Sequence, residues 1–331
     1  MNIVYVERLI LFLPCNLYKT KPKHIKKEFY ANGKLLISGE YAVLDGAKAI
    51  VLPTQCGQRM TVKNSRGSDL VWIAYDHEGN QWFKSNISLY DFSAINTTDE
   101  AVSKKIQKIL KNAVRQNSEF LSKWNGFKVE TYLDFPRSWG LGSSATVYKL
   151  VSDWSDINPL LLYFKIESGS GADVACAVAG TSITYVSNEE EINYTTVEFD
   201  PSFKDQLYFV HLNQKQDSSL GIMEYLKVVK QKKEFVSGVT QISEELIAAK
   251  DISTFSDLID RHEDLVHHHT GFKKVKDERF SEYHGSIKSL GAWGGDFVMV
   301  TSDKSPEETL AYFNDKGYHT VLPYQEMILK S

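Results

Sequence analysis

Apolar residues recur along this chain with two periods, and the switches between them mark its elements. Leu35-Leu36-Ile37 is a short apolar run that predicts a buried strand, and Gly39 and Gly46 punctuate the segment that follows. Residues 58–62 and 70–75 predict further strands, with Asp76-His77-Glu78-Gly79-Asn80 as the turn before Trp82. The pattern then changes to a helical one over residues 99–124, with Val102, Ile106, Leu110, Val114 and Leu121 on one face. Alternation returns at 127–133. A glycine-bearing stretch at 136–145 follows, and Val147, Leu150, Val151 and Trp154 then recur at helical spacing. Asn158-Pro159 is a helix start, with Asn as N-cap and Pro at the first helical position. Gly169-Ser170-Gly171 introduces a helix of small residues, 172–179, which Gly180 closes before a strand at 182–186.

The pattern breaks around Glu189-Glu190-Glu191, and a domain boundary falls between about 190 and 203. Beyond it come a strand at 207–212 and helical patterns at 218–232, 236–249 and 253–268. A second glycine cluster, Leu290-Gly291-Ala292-Trp293-Gly294-Gly295-Asp296, runs into a strand at 297–300. Ser305-Pro306-Glu307-Glu308 reads as a capping box opening a helix, and Gly317 ends it before a last strand at 320–322. The elements describe an α+β protein.

A chain of 331 residues exceeds one comfortable core, so two domains are expected, 29–198 and 199–331. Residues 1–28 read as an extension outside the fold. Their apolar run Leu9-Ile10-Leu11-Phe12-Leu13 is too short to span a bilayer, and Pro14 stands where a processing site prefers a small residue. Hydrophobic content of 42% with 6 Trp excludes a disordered chain. The net charge of −4 gives no reason to expect nucleic acid or an anionic membrane as partner. Cys15, Cys56 and Cys176 lie far apart with no C-x-x-C pair, which fits a reducing cytoplasm.

The chemistry concentrates in Pro136-Arg137-Ser138-Trp139-Gly140-Leu141-Gly142-Ser143-Ser144-Ala145. A glycine loop feeding a helix N-terminus presents unpaired N–H groups and the positive end of the dipole, which suits a phosphate. No Gly-Lys-Ser/Thr follows, so this is not a Walker A loop, and the third glycine of a dinucleotide fingerprint is missing. Together with Asn32-Gly33-Lys34-Leu35-Leu36-Ile37-Ser38-Gly39-Glu40-Tyr41 and residues 291–296, this order resembles the three motifs of the GHMP kinases. That family includes galactokinase, homoserine kinase, mevalonate kinase and phosphomevalonate kinase. The first motif is similar to the mevalonate-pathway members. Gly169-Ser170-Gly171-Ala172-Asp173-Val174-Ala175 and Gly294-Gly295-Asp296 are similar to phosphomevalonate kinases. Two departures stand out: Trp293 occupies a place where the family usually has glycine, and the segment between Ala145 and Asp173, which usually holds a helical lid, is short.

The resemblance implies a two-domain fold with its site in the cleft between the domains, and ATP and Mg²⁺ as cofactors. Gly140, Leu141, Gly142, Ser143, Ser144 and Ala145 would hold the phosphates, and the Ser144 hydroxyl would also ligate Mg²⁺. Asp173 would orient or deprotonate the acceptor oxygen, or simply sit in the first turn of its helix, where a carboxylate gains roughly 0.3–1 kcal/mol. Lys34 would pair with Asp173, or snorkel at the surface. Glu40 is either a partner of Lys34 or a solvated charge. Arg137 and Lys215 are candidate anion contacts or surface charges, and Gly294 and Gly295 complete the third motif. The implied acceptor is mevalonate or its phosphate, a small molecule; a homo-oligomer is open. The rival readings are a catalytically silent metabolite sensor and a decarboxylase of the same fold. A zinc site is not expected, because His262-Glu263-Asp264-Leu265-Val266-His267 has one residue too many for H-E-x-x-H, and His267-His268-His269 points around a helix.

Overall fold

Two long strands organise the first half of the chain in the computed structural model, which describes residues 26–122, 125–188, 192–214, 218–229, 232–291, 293 and 295–330. β1 (Lys26–Ser38) and β2 (Ala49–Ser65) pair antiparallel, and their inner halves are almost wholly buried. Of the extension expected over residues 1–28, Lys26, Lys27 and Glu28 belong to β1, opposite Lys63, Val62 and Thr61, and residues 1–25 lie outside the described residues. β2 is long enough to carry this pairing well beyond the apolar Leu35-Leu36-Ile37.

β3 (Asp69–Tyr75), β4 (Gln81–Ser88) and β5 (Ala94–Thr97) form an antiparallel meander. The turn between β3 and β4 is closed by Asp76, whose Oδ1 accepts from Glu78 N and Asn80 N. α1 (Glu100–Gln116) then crosses over, so that β6 (Gly126–Leu133) returns parallel to β3 and antiparallel to β2. α1 is shorter than the helix expected over 99–124. Asn117 leaves helical geometry, donates its side-chain amide to Ser155 O at 2.7 Å and accepts from Glu119 N, so local polar bonds replace the next helical turn.

α2 (Ser143–Ser155), α3 (Pro159–Phe164) and α4 (Ala172–Ala179) pack on this layer, and β7 (Ile183–Ser187) with β8 (Ile192–Thr196) completes the sheet. Asn158 caps α3 as its sequence predicts, accepting from Leu160 N and Leu161 N.

The second half contains β9 (Leu207–His211), α5 (Ser218–Val228), α6 (Lys232–Ala248), α7 (Ile252–Thr270), α8 (Val275–Arg279), β10 (Ile287–Ser289), β11 (Phe297–Thr301), α9 (Pro306–Asp315), β12 (Val321–Pro323) and α10 (Tyr324–Met327). Its sheet is antiparallel in the order β10-β11-β9-β12. Ser305 and Glu308 form the predicted capping box on α9.

The two halves share a core. Leu35, Ile37, Leu52, Leu133 and Leu141 from the first pack in one cluster with Phe209, Leu258, Ile259, Phe297 and Met299 from the second. Trp139 meets Phe297 edge-on at 5.5 Å across the same seam. This apolar seam is what sets one half against the other, and the cleft opens along its edge. Among the described residues, no helix is long and apolar enough to cross a membrane.

Candidate active site

A bulge in β1 begins the site. The register with β2 shifts between Asn32 and Lys34, and a Cβ on Gly33 would lie 2.8 Å from Leu141 O. The absence of that carbon lets the glycine loop lie against the strand, where Lys34 N donates to Leu141 O at 3.0 Å. The first and second motifs are thus joined backbone to backbone. Leu141 and Ala145 turn their side chains into the core.

The loop enters α2 through Gly142, whose φ of 82° is left-handed, and no side chain caps the helix. A Cβ there would come within 2.9 Å of Lys34 Cε. The first-turn N–H groups of α2 therefore lack side-chain acceptors, and Ser144 is exposed beside them. α4 also begins at a left-handed glycine, Gly171, and presents Asp173 in its first turn. Lys34 Nζ lies 3.0 Å from Asp173 Oδ2.

These groups face one cavity of about 360 Å³, lined on one side by Arg137, Gly140, Ser143 and Ser144. Gly291 and Asp296 of the third motif close it from the second half of the chain. Its remaining lining sets the Lys34–Asp173 pair and the Gly169-Ser170-Gly171 turn beside an apolar and aromatic stretch, Leu36, Tyr41, Val43, Leu44, Tyr163 and Ile222. Burial pushes the hydroxyls of Tyr41 and Tyr163 above the usual tyrosine range, so both stay neutral. The short segment between Ala145 and Asp173 supplies α3, which brings Tyr163 to this wall.

On the far side of Ser143 and Ser144 lies a second chamber of about 200 Å³, lined by Trp72, Trp82, Phe83, Ile106, Leu133 and Val147 among others. The Arg137 guanidinium stacks 3.8 Å from the Trp82 ring, between the two spaces. Sequence reasoning singled out Arg137 but missed Trp82. No motif marks a lone tryptophan after a turn.

Glu40 is neither a partner of Lys34 nor a solvated charge. It is wholly buried, and Lys288 Nζ donates to its Oε1 at 2.8 Å. Trp293 stays out of the cavity lining: its indole N–H donates to Lys273 O at 3.0 Å, and its ring packs with Tyr41 and Tyr225. The departure from glycine at this position thus builds core and leaves the cleft open. Gly295 is buried in the third-motif turn, while Lys215 and Gly294 lie outside the described residues.

No group of three or more His, Cys, Asp or Glu among the described residues is arranged to hold a metal ion. Magnesium commonly binds through one or two protein groups plus substrate phosphates, and the exposed Ser144 hydroxyl at the start of α2, on the cavity wall, fits that mode.

A glycine loop running into a helix, a lysine–aspartate pair opposite it and a two-sheet frame closing around both give the fold of the GHMP kinases. Mevalonate kinase from Methanococcus jannaschii shares it with a TM-score of 0.67 and 18% identity, over 91% of this chain and 98% of that one. A Streptococcus pneumoniae phosphomevalonate kinase in complex with phosphomevalonate and AMPPNP matches at 0.67 and 16%, over 89% and 99%. Galactokinase from Lactococcus lactis, complexed with galactose, matches at 0.64 and 12%, over 92% and 94%. No family model matches the chain, and no curated protein matches its sequence.

Proposed function

We propose that this chain is an ATP- and Mg²⁺-dependent small-molecule kinase of the GHMP type, with mevalonate or phosphomevalonate as acceptor. The observation that carries the reading is the Lys34–Asp173 pair at 3.0 Å, facing the uncapped start of α2 across one cavity. Phosphoryl transfer needs positioning and charge neutralisation more than covalent chemistry, and this site offers both.

In this reading Asp173 accepts a hydrogen bond from the acceptor oxygen, aims its lone pair and takes its proton as the new bond forms. Lys34 holds the Asp173 carboxylate in place and offers its charge to the moving phosphoryl group. The N–H groups of Ser143 and Ser144 receive phosphate oxygens, and Arg137 adds a cation at the cavity edge. The nucleotide supplies the phosphoryl group, and magnesium held through Ser144 would offset its charge. The chamber beyond Ser143, lined largely by aromatic and aliphatic side chains, suits the nucleoside base.

The acceptor wall favours the mevalonate branch over sugars. Leu36, Val43, Leu44 and Ile222 suit a carbon skeleton with few hydroxyls. The structural neighbours include both a mevalonate kinase and a galactokinase, so the fold leaves this choice to the wall. Cys56 and Cys176 are free thiols, as suits a cytoplasmic enzyme. Calorimetry with MgATP, then an ADP-release assay over mevalonate, phosphomevalonate, homoserine and galactose, tests the proposal. Tight MgATP binding without turnover would favour a sensor, CO₂ release alongside ADP a decarboxylase, and activity confined to galactose or homoserine would remove the mevalonate assignment.

A further inference from the structure

Behind the cleft, where the two halves meet, four ionisable side chains are buried together. Glu40 comes from the first motif, His262 and Glu263 from α7, and Lys288 from β10. Lys288 Nζ donates to Glu40 Oε1 at 2.8 Å and to Ser289 O at 2.8 Å, and lies 3.6 Å from Glu263 Oε1. Glu263 accepts from Ser289 N at 3.1 Å and from Ser289 Oγ at 2.9 Å. His262 Nε2 is 3.4 Å from Glu40 Oε2, and Lys288 stands 5.7 Å over the Trp293 ring.

The placement of this cluster is what gives it meaning. Glu40 directly precedes Tyr41, which lines the cavity in a left-handed conformation (φ 56°) and stacks on Tyr225 at 5.6 Å. Lys288 lies three residues before Gly291, which lines the cavity from the other side. One buried ammonium therefore ties together the roots of two opposing cleft walls. An apolar pair of similar size would fill the space without fixing register, whereas buried polar groups hydrogen-bonded to one another hold only when their geometry is kept.

We infer that Lys288, through Glu40 and Glu263, is a positioning residue that sets the acceptor wall at Tyr41 against the third motif at Gly291. The inference rests on the kinase reading for its substrate, but its geometric content stands apart from that reading. None of the four side chains lines the cavity, so their effect reaches the acceptor only through the walls they anchor. The start of α2 is tied to β1 by a separate contact, Lys34 N to Leu141 O.

The test is Lys288→Met in the full chain, compared with Lys288→Arg, followed by hydrogen exchange, MgATP calorimetry and mevalonate kinetics. Lys288→Met is expected to raise amide exchange at residues 39–45 and 289–297 while the first turn of α2 keeps its protection. MgATP affinity should stay within about twofold, and the KM for mevalonate should rise at least about tenfold with a smaller change in kcat. Lys288→Arg should recover part of both effects. Should Lys288→Met not fold, Glu40→Gln carries the same measurements, with smaller shifts at the same places. A rise in exchange spread over the whole chain, or unchanged exchange at both segments, overturns the inference. If mevalonate is not turned over by the parent protein, the exchange pattern alone still decides it, separately from the kinase reading.

Discussion

At the scale of single residues, Asp173 and Gly142 do most to define the site. Asp173→Asn keeps the shape of α4 but removes the charge that aims the acceptor oxygen in the proposed reaction. It is expected to lower kcat by roughly 10²–10⁴-fold with MgATP affinity kept, read by steady-state kinetics alongside calorimetry. Ser144→Ala should act on the other substrate, weakening MgATP binding and the dependence on magnesium while the acceptor KM moves little. Gly142→Ala meets two obstacles, a φ of 82° and a Cβ 2.9 Å from Lys34 Cε. The left-handed conformation alone costs a non-glycine residue about 1–2 kcal/mol. Thermal unfolding should report that loss, and displacement of the Lys34 stem should lower both MgATP affinity and turnover.

At the scale of elements, the two helix starts at the cavity contrast with four others. α1, α3, α7 and α9 are capped by their own side chains: Asp99, Asn158, Asp251 and Ser305. α2 and α4, which face the cavity, begin at glycines that offer no cap of their own, although in α4 Ser170 Oγ accepts from Ala172 N at 3.3 Å. A capped helix has spent its first N–H groups on local stability, whereas an uncapped one has them left for a ligand. Ser305→Ala should therefore lower unfolding free energy by about 0.5–2 kcal/mol without moving any kinetic constant, measured by denaturant titration and assay of the same sample. An altered KM in that variant would mean that α9 is coupled to the cleft, against its place on the far sheet.

At the scale of the whole molecule, the shared core and the buried cluster make stability depend on pH. Burial pushes the Glu263 carboxyl from its ordinary 4.5 up to about 8, despite Lys288 nearby. Between those values the unfolded chain has released this proton and the folded chain keeps it, so stability falls as pH rises through the window. Burial moves Glu40 the same way. His262 moves oppositely: burial holds it well below its ordinary 6.5, so its contribution is lost as pH falls under 6.5. Above 6.5 the Glu263 carboxyl alone predicts a drop in unfolding free energy of roughly 1 kcal/mol per pH unit up to about 8. Glu263→Gln should flatten that slope in denaturant titrations. A slope unchanged in the variant would place the titrating group elsewhere.

Much of the site is local, and local features are legible in the sequence. The glycine loop, the start of α2, Asp173 in the first turn of α4 and the capped starts of α3 and α9 each depend on residues within a few positions of one another. Side-chain caps, left-handed glycines and helical spacing act over that range, so residue type and order alone determine them. The closure of the cleft by Gly291 and Asp296 was legible only through the resemblance of three separated motifs. Glu40 shows where local reading ends: its partner Lys288 lies 248 residues away, and nothing beside Glu40 marks it as buried. Trp293 and Trp82 are alike in this, one turned into the core beneath Tyr41 and the other stacked under Arg137. Whether a charge or a large ring faces water, core or ligand is decided by what the rest of the chain packs against it. The sequence alone therefore determined which segments present N–H groups and a carboxylate in the first turn of a helix. Only the tertiary structure decided which charges are buried behind them, because desolvation depends on neighbours brought together across the whole fold.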